Sequence, residues 1–129
     1  MPEAPSAVRR RILLVEDDPD ARMALASLLE RRASAEIRSA GTGSEALELA
    51  ADWTPDVVLL DLTLPDLDGF EVIESLRGME ALRDTLFIAL TGRTEPEVVA
   101  LTKKAGFDHL VAKPVQDIAA LARLVAHEG

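Results

Sequence analysis

Five short apolar runs recur along the chain, and each one stops at a turn residue or a charged residue. The runs are four to six residues long and most are rich in Val, Ile and Leu, which is typical of strands that are buried on both faces. The second run, AEIRSA, is the weakest and is typical of a strand near the edge of a sheet. The predicted strands cover residues 11–15, 35–40, 57–60, 85–90 and 109–112.

Between these runs, apolar residues recur three and four positions apart, which indicates amphipathic helices. Local signals at the helix ends support this interpretation. They are Asp18 before Pro19, capping boxes formed by Thr42 with Glu45 and by Thr94 with Glu97, and a stop at Gly106. We therefore expect five helices, which begin near residues 19, 43, 71, 95 and 115, and the last one runs to residue 127.

Strands and helices alternate five times along 129 residues, which is the size of one domain. The connections are long enough for crossovers between parallel strands. The predicted fold is α/β, with a doubly wound five-stranded parallel sheet in the flavodoxin-like order 2-1-3-4-5 and five helices on its two faces. Residues 1–10 are expected to form a disordered lead, and residues 11–127 a single domain.

The chain is strongly acidic, with 14 basic and 23 acidic residues and a formal net charge of −9. Because proteins that bind DNA or RNA neutralise phosphates with Lys and Arg, direct binding to nucleic acid is not expected. The chain has no cysteine, which excludes disulfides and thiolate metal sites. It has no apolar run of 18 residues and no signal peptide, so we expect a cytoplasmic protein that does not enter a membrane.

Polar residues stand at the carboxyl ends of four predicted strands, and those ends meet at one edge of the sheet. They are Glu16 with Asp17, Asp61, Thr91 and Lys113. Three neighbouring carboxylates repel one another, and a hard cation such as Mg²⁺ removes that repulsion. The hydroxyl and ammonium donors suit a phosphoryl group, and an aspartate can itself form an acyl phosphate. The pattern therefore predicts an aspartate that is phosphorylated with support from Mg²⁺, Thr91 and Lys113.

This set of strand ends resembles the receiver domain of two-component response regulators, the CheY-like family. The matching segments are ILLVEDD, LLDLTLPDLDGFEV, ALTGR and AGFDHLVAKPV, and the resemblance covers about residues 11–127. It implies that Asp61 is the phosphoacceptor and that Glu16 and Asp17 bind Mg²⁺, or Mn²⁺, together with Asp61. It also implies that Thr63 supplies its backbone carbonyl to the metal.

The resemblance further implies that Thr91 hydrogen-bonds the phosphoryl oxygens, that Lys113 pairs with them, and that the bond from Lys113 to Pro114 is cis. One position departs from the family pattern. Three residues before Lys113, the family often has Tyr or Phe, which moves inward with the threonine, and here the residue is Leu110. A signal from Asp61 would then pass through the Thr91 loop and the helix and strand that follow it.

The implied partner is a histidine kinase or a histidine phosphotransfer protein, and the output partner is unknown. The GFDH segment resembles receivers that stand alone or belong to hybrid histidine kinases. The domain is expected to be a monomer or a phosphorylation-linked dimer, and not an enzyme beyond catalysing its own phosphorylation and dephosphorylation.

Two other classes of function remain open from the residues. One is a Mg²⁺-dependent phosphohydrolase with an aspartyl nucleophile, which needs a second Asp two residues later, where this chain has Thr63. The other is a binding module that is never phosphorylated, which the loss of an acid or the lysine would indicate. Asp66 and Asp68 are expected to be loop and capping acids, and His109 and His127 structural or surface residues.

Overall fold

The strands and helices alternate along the chain as the apolar runs predict. The computed structural model describes residues 10–126, so the predicted lead, apart from Arg10, and His127 lie outside the described residues. The elements are β1 (Arg11–Val15), α1 (Pro19–Ala33), β2 (Glu36–Ala40), α2 (Gly43–Trp53), β3 (Val57–Asp61), α3 (Gly69–Arg77), a 3₁₀ turn (Glu80–Leu82), β4 (Leu86–Thr91), α4 (Pro96–Ala105), β5 (His109–Ala112) and α5 (Ile118–Ala126).

The five strands form one sheet in the order β2-β1-β3-β4-β5, and all of the pairings are parallel, which confirms the predicted order. β3 and β4 each extend one residue beyond the predicted ends, to Asp61 and Thr91. Asp61 pairs with Leu90, and Thr91 pairs with Ala112. Both polar residues are therefore held by the sheet and not by a mobile loop.

The sheet separates two apolar layers, because alternate side chains of a strand point to opposite faces. α2 and α3 cover one face, and α1 and α5 cover the other. Every residue of β3 is buried, which explains why its sequence is apolar without alternation. Buried strand residues on the first face are Leu13, Val15, Ala40, Val58, Leu60, Phe87 and Ala89, and those on the second are Ile12, Leu14, Val57, Leu59, Ile88 and Leu90.

Three predicted helix starts were wrong. α3 begins at Gly69 and not at residue 71, because the Asp68 carboxylate accepts a hydrogen bond from the N–H of Phe70. α4 begins at Pro96 with Glu95 as its N-cap, so Thr94 and Glu97 do not form a capping box. Proline suits the first helical position because it has no N–H to satisfy, and this outweighs the threonine upstream. α5 begins at Ile118 and not at residue 115, because the Asp117 carboxylate accepts a hydrogen bond from the N–H of Ala120.

The N-terminus of α2 is capped from two places. Thr42 accepts a hydrogen bond from the N–H of Glu45, as predicted, but the Glu45 carboxylate accepts one from Gly41 and not from Thr42. Asp66, in the loop after β3, accepts from Gly43 at 2.8 Å and from Ser44 at 3.0 Å. These two N–H donors lower the pKa of Asp66 to about 2, so its carboxylate ties the loop after Asp61 to α2.

The other loop acid, Asp68, caps α3. Its side chain accepts a hydrogen bond from the N–H of Phe70, and Glu71 completes a capping box by accepting from the N–H of Asp68. The expected capping role of Asp68 is thereby confirmed.

Within residues 10–126, every helix is too short or too polar to cross a lipid bilayer.

We expect Asp66→Ala to destabilise the domain in a way that depends on pH. The pKa of Asp66 in the folded protein, about 2, lies below the usual 3.8. The hydrogen bonds that its carboxylate accepts therefore stabilise the fold above pH 3.8, and this stabilisation is lost as the pH falls towards 2. The free energy of unfolding, measured with urea, should be lower for the variant than for the wild type at neutral pH, and this difference should shrink below pH 3.8. Asp84→Ala, whose side chain is 97% exposed, is the control. A difference that stays constant down to about pH 3 would contradict this role.

Candidate functional site

Three carboxylates meet at the carboxyl ends of β1 and β3. Glu16 and Asp17 follow β1 directly, Asp61 ends β3, and one oxygen of each lies within 4.8 Å of the others. The parallel register brings them together, because Val15 pairs with Leu60. Asp61 is 3% exposed and Glu16 is 4% exposed, whereas Asp17 faces solvent. The site therefore has two buried acids and one that faces outward.

Lys113, which follows β5, lies between the two buried acids. Its Nζ donates to Asp61 Oδ2 at 2.8 Å and to Glu16 Oε1 at 3.1 Å. One ammonium balances one of the three carboxylates, so the ionised cluster keeps a net charge of −2. That charge attracts a divalent cation. The peptide bond between Lys113 and Pro114 is cis, as predicted.

Burial and hydrogen bonding act against each other in this cluster. Burial raises the pKa of Glu16, while hydrogen bonds from the N–H of Asp18 and from Lys113 limit the rise. Burial by itself lowers the pKa of Lys113, but its hydrogen bonds to Asp61 and Glu16 outweigh this and leave the pKa raised. Lys113 therefore stays protonated at neutral pH.

The loop after Asp61 is closely packed around the phosphoacceptor candidate. The N–H of Thr63 donates to Asp61 Oδ1 at 2.9 Å, so both carboxylate oxygens of Asp61 have a donor. The loop closes where the N–H of Gly69 donates to the carbonyl of Leu62 at 3.1 Å. A Cβ at position 69 would lie 2.7 Å from the Cα of Leu62, so only glycine fits there.

Thr91 lies one strand away from Asp61, at the end of β4. The side chain is buried, and its oxygen accepts a hydrogen bond from the N–H of Arg93 at 3.0 Å. Its carbonyl accepts from the N–H of Lys113 at 2.8 Å, which joins the ends of β4 and β5. The hydroxyl thus contacts its own loop, and its proton remains available to an acceptor.

Leu110 is half-buried in β5 and contributes to an apolar depression of about 230 Å³ against α5. The depression is also lined by Val111, Val115, Leu121 and Leu124. A larger apolar groove, of about 570 Å³, runs between α1 and α5 and reaches Glu16 and Lys113. Both surfaces lie next to elements that carry site residues.

One site-adjacent residue was missed from the sequence. Arg22, in the first turns of α1, donates from Nη1 to the carbonyl of Glu16 at 2.8 Å. The spacing in the sequence does place Arg22 near this loop, because it lies four residues after Asp18 and helical residues four apart share a face. Nothing in the local sequence shows, however, that the side chain turns back towards the loop.

The carboxylates suit a hard divalent cation. All of the ligand atoms are oxygens, and Mg²⁺ takes oxygen ligands at about 2.1 Å while keeping several waters. Oxygens around one such ion lie ~3–4 Å apart, so a spread of up to 4.8 Å needs only a small contraction. Asp17 faces solvent, which leaves a path for the ion and for its waters.

Comparison with known proteins agrees with this geometry. A family model described as the response regulator receiver domain matches residues 12–125. The transcriptional regulatory protein AfsQ1 of Streptomyces coelicolor is 36% identical over 89% of this chain and 49% of its own length. The transcriptional regulatory protein KdpE of Mycobacterium tuberculosis is 38% identical over the same shares of the two chains. This chain thus spans about half the length of the curated relatives it matches.

Solved structures show the same fold. The chemotaxis protein CheY4 of Vibrio cholerae superposes with a TM-score of 0.84 at 28% identity, over 91% of this chain and 97% of that one. A family model that spans nearly all of the described residues and a CheY-like fold lead to one conclusion. The chain belongs to the receiver domain family of two-component response regulators.

Proposed function

We propose that this receiver domain accepts a phosphoryl group on Asp61 in a Mg²⁺-dependent reaction and signals by a change of conformation. The observation that carries the proposal is the position of Asp61. It ends a central strand, Lys113 contacts it at 2.8 Å, and oxygens of Glu16 and Asp17 lie within 4.8 Å of it. The donor is a phosphohistidine on a histidine kinase or a phosphotransfer protein.

In the transfer, a carboxylate oxygen of Asp61 attacks the phosphorus. The bond between oxygen and phosphorus forms as the bond between phosphorus and the donor's imidazole nitrogen breaks, and the imidazole leaves with the electron pair and takes up a proton. Lys113 exchanges part of its contact with Asp61 for the phosphoryl oxygens and neutralises their charge. Water later hydrolyses the acyl phosphate and restores the carboxylate.

Mg²⁺, or Mn²⁺ with the same oxygen ligands, would be held by Glu16, Asp17, Asp61 and the backbone carbonyl of Thr63. When bound, the ion supplies positive charge next to the phosphoryl oxygens. The chain's own residues then orient the acceptor: Thr63 donates to one oxygen of Asp61, and Lys113 donates to the other.

Thr91 connects phosphorylation to the rest of the domain. Its hydroxyl proton can be donated to a phosphoryl oxygen, and this would pull the loop of residues 91–93 towards Asp61. Because position 110 is Leu and not an aromatic residue, the change passes through this loop to α4 and β5 without an aromatic side chain moving inward. We expect the output to be a contact with a partner protein, or formation of a phosphorylation-linked dimer from a monomer, in the cytoplasm.

The groove between α1 and α5 supports the proposed donor. It is apolar, and it reaches Glu16 and Lys113 at the edge of the phosphoacceptor site. A helix that carries a phosphohistidine can bury apolar residues there while it presents its phosphoryl group to Asp61.

Incubation with acetyl phosphate and Mg²⁺ tests the proposed function. We expect one phosphoryl group per chain, seen by intact-protein mass spectrometry, and its loss on treatment with hydroxylamine, as for an acyl phosphate. Continued turnover of a phosphate ester without a labelled intermediate would instead indicate a phosphohydrolase. A wild-type protein that is never labelled would indicate a binding module.

Asp17→Ala is expected to abolish measurable binding of Mg²⁺. Asp17 is the solvent-facing member of the acid cluster, so its loss removes a ligand without opening the core. Binding is measured by calorimetric titration with MgCl₂. Asp20→Ala is the matched control, because it removes an equal charge from the first turn of α1 outside the cluster. Equal affinities for the wild type and Asp17→Ala would remove the acid pair from the metal site.

A further inference from the structure

α1 carries an arginine whose side chain turns back onto the loop that holds the acid pair. Nη1 of Arg22 donates to the carbonyl oxygen of Glu16 at 2.8 Å and reaches that of Asp17 at 3.5 Å. Arg22 itself is half-buried, and its N–H donates to the carbonyl of Asp18 in the first turn of the helix. The guanidinium therefore lies against the backbone of the acid pair and not against its carboxylates.

The space for this guanidinium comes from the loop after β2. A Cβ at Gly41 would lie 2.8 Å from Nη1 of Arg22 and 3.5 Å from its Cζ, so the arginine packs directly on Gly41. The same loop of the acid pair is held from a second side, because the N–H of Glu16 donates to the carbonyl of Ala40 at 3.0 Å. The backbone at Glu16 is thus fixed between β2 and Arg22.

We infer that Arg22 is a positioning residue for the cation site, through the backbone of Glu16 and Asp17. The inference rests on the proposed function, since it concerns the same acid pair. A carboxylate can ligate a metal well only if its backbone is held in one conformation, and an arginine offers several donors in a rigid planar fork for that task. Arg22 contacts neither Asp61 nor the carboxylate oxygens, so it acts only through the acid pair.

Electrostatics and positioning predict opposite results at this position. A guanidinium near three carboxylates repels a divalent cation, so loss of its charge alone would tighten binding of Mg²⁺. Loss of the backbone anchor lets the acid pair adopt other conformations and weakens binding. Groups that orient metal ligands typically contribute ~10- to 100-fold in affinity. We expect the loss of positioning to outweigh the loss of repulsion, so that removal of the Arg22 side chain weakens Mg²⁺ binding.

The test compares Arg22→Ala, Arg22→Lys and Gly41→Ala with the wild type, and Arg31→Ala is the control. Arg31 lies in the last turn of the same helix and is exposed, so this variant loses the same charge away from the site. We expect Arg22→Ala to weaken Mg²⁺ binding about 10-fold, and Arg22→Lys to weaken it less. Gly41→Ala should also weaken binding although the arginine is retained, because the new Cβ displaces the guanidinium. Arg31→Ala should bind as the wild type does.

Two further readouts separate positioning from a general structural role. Mg²⁺ affinities are measured well below the thermal unfolding midpoint of each variant, where the protein is folded. A variant that is only less stable would therefore have a lower midpoint temperature but an unchanged Mg²⁺ affinity. At saturating Mg²⁺, labelling of Arg22→Ala by acetyl phosphate should return to within about 2-fold of the wild-type rate, because the reacting groups are intact. Arg22→Lys and Gly41→Ala keep the test valid if Arg22→Ala does not fold.

Unchanged or tighter Mg²⁺ binding by folded Arg22 variants would overturn the inference. The proposed function would survive that result as long as Asp17→Ala fails to bind Mg²⁺. If Asp17→Ala also binds normally, the metal site itself is misplaced and both proposals fail. The two failures can therefore be told apart in one set of titrations.

Discussion

Asp61→Asn is expected to abolish phosphorylation by acetyl phosphate. An amide oxygen does not act as a nucleophile towards phosphorus as a carboxylate does, so we expect labelling to fall by at least ~10³-fold, into the background. Asn has nearly the same shape as Asp, and its oxygen can still accept hydrogen bonds from Thr63 and Lys113. The buried site should therefore remain folded while the chemistry is lost.

The measurement is intact-protein mass spectrometry after incubation with acetyl phosphate and Mg²⁺, with a matched sample in EDTA. Asp84→Asn serves as the control, because its side chain is 97% exposed and the residue lies in the turn before β4. Circular dichroism and urea unfolding establish that both variants are folded. Equal labelling of Asp61→Asn and the wild type would show that another residue is the phosphoacceptor.

Lys113→Met should have the second largest effect, on both reactivity and stability. Removing a donor that neutralises charge in a transition state typically costs ~10²-fold or more in rate, and Lys113 is the ammonium that contacts Asp61. Without it, the buried carboxylates of Glu16 and Asp61 lose the cation that they share. Complete loss of one partner of a buried pair costs ~3–5 kcal/mol. Because the Lys113 side chain is 32% exposed, we expect the free energy of unfolding to fall by about 2 kcal/mol.

Mg²⁺ should reduce the loss of stability in Lys113→Met, because the ion binds the same carboxylates and replaces the missing positive charge. Urea unfolding with and without Mg²⁺ measures this difference, and the labelling rate at saturating Mg²⁺ measures the loss of reactivity. Arg22→Ala provides the contrast, since its rate is expected to recover at saturating Mg²⁺. A Lys113→Met protein that is labelled at the wild-type rate would exclude Lys113 from phosphoryl transfer.

The role of Asp66 can be predicted only in part from the sequence. Asp66 was expected to be a loop or capping acid, and it does cap a helix. The helix, however, is α2, and the bond to Gly43 spans 23 residues of sequence. Capping patterns predict partners two or three residues away, and a cap supplied by a distant loop leaves no local pattern. The predicted start of α4 was wrong for a different reason. Thr94 as an N-cap and Pro96 as a first helical residue are competing local signals, and the helix begins at Pro96.

The architecture and the polar residues at the ends of four strands can be predicted from the sequence. Both are local properties: a run buried on two faces is continuously apolar, and in a parallel sheet every strand ends at the same edge. How those residues meet depends on contacts between distant parts of the chain. Lys113 contacts Asp61 across 52 residues and Glu16 across 97, and Arg22 reaches the carbonyl of Glu16 only because Gly41 leaves room for it. Such contacts depend on strand register and helix placement, which no short window of sequence contains.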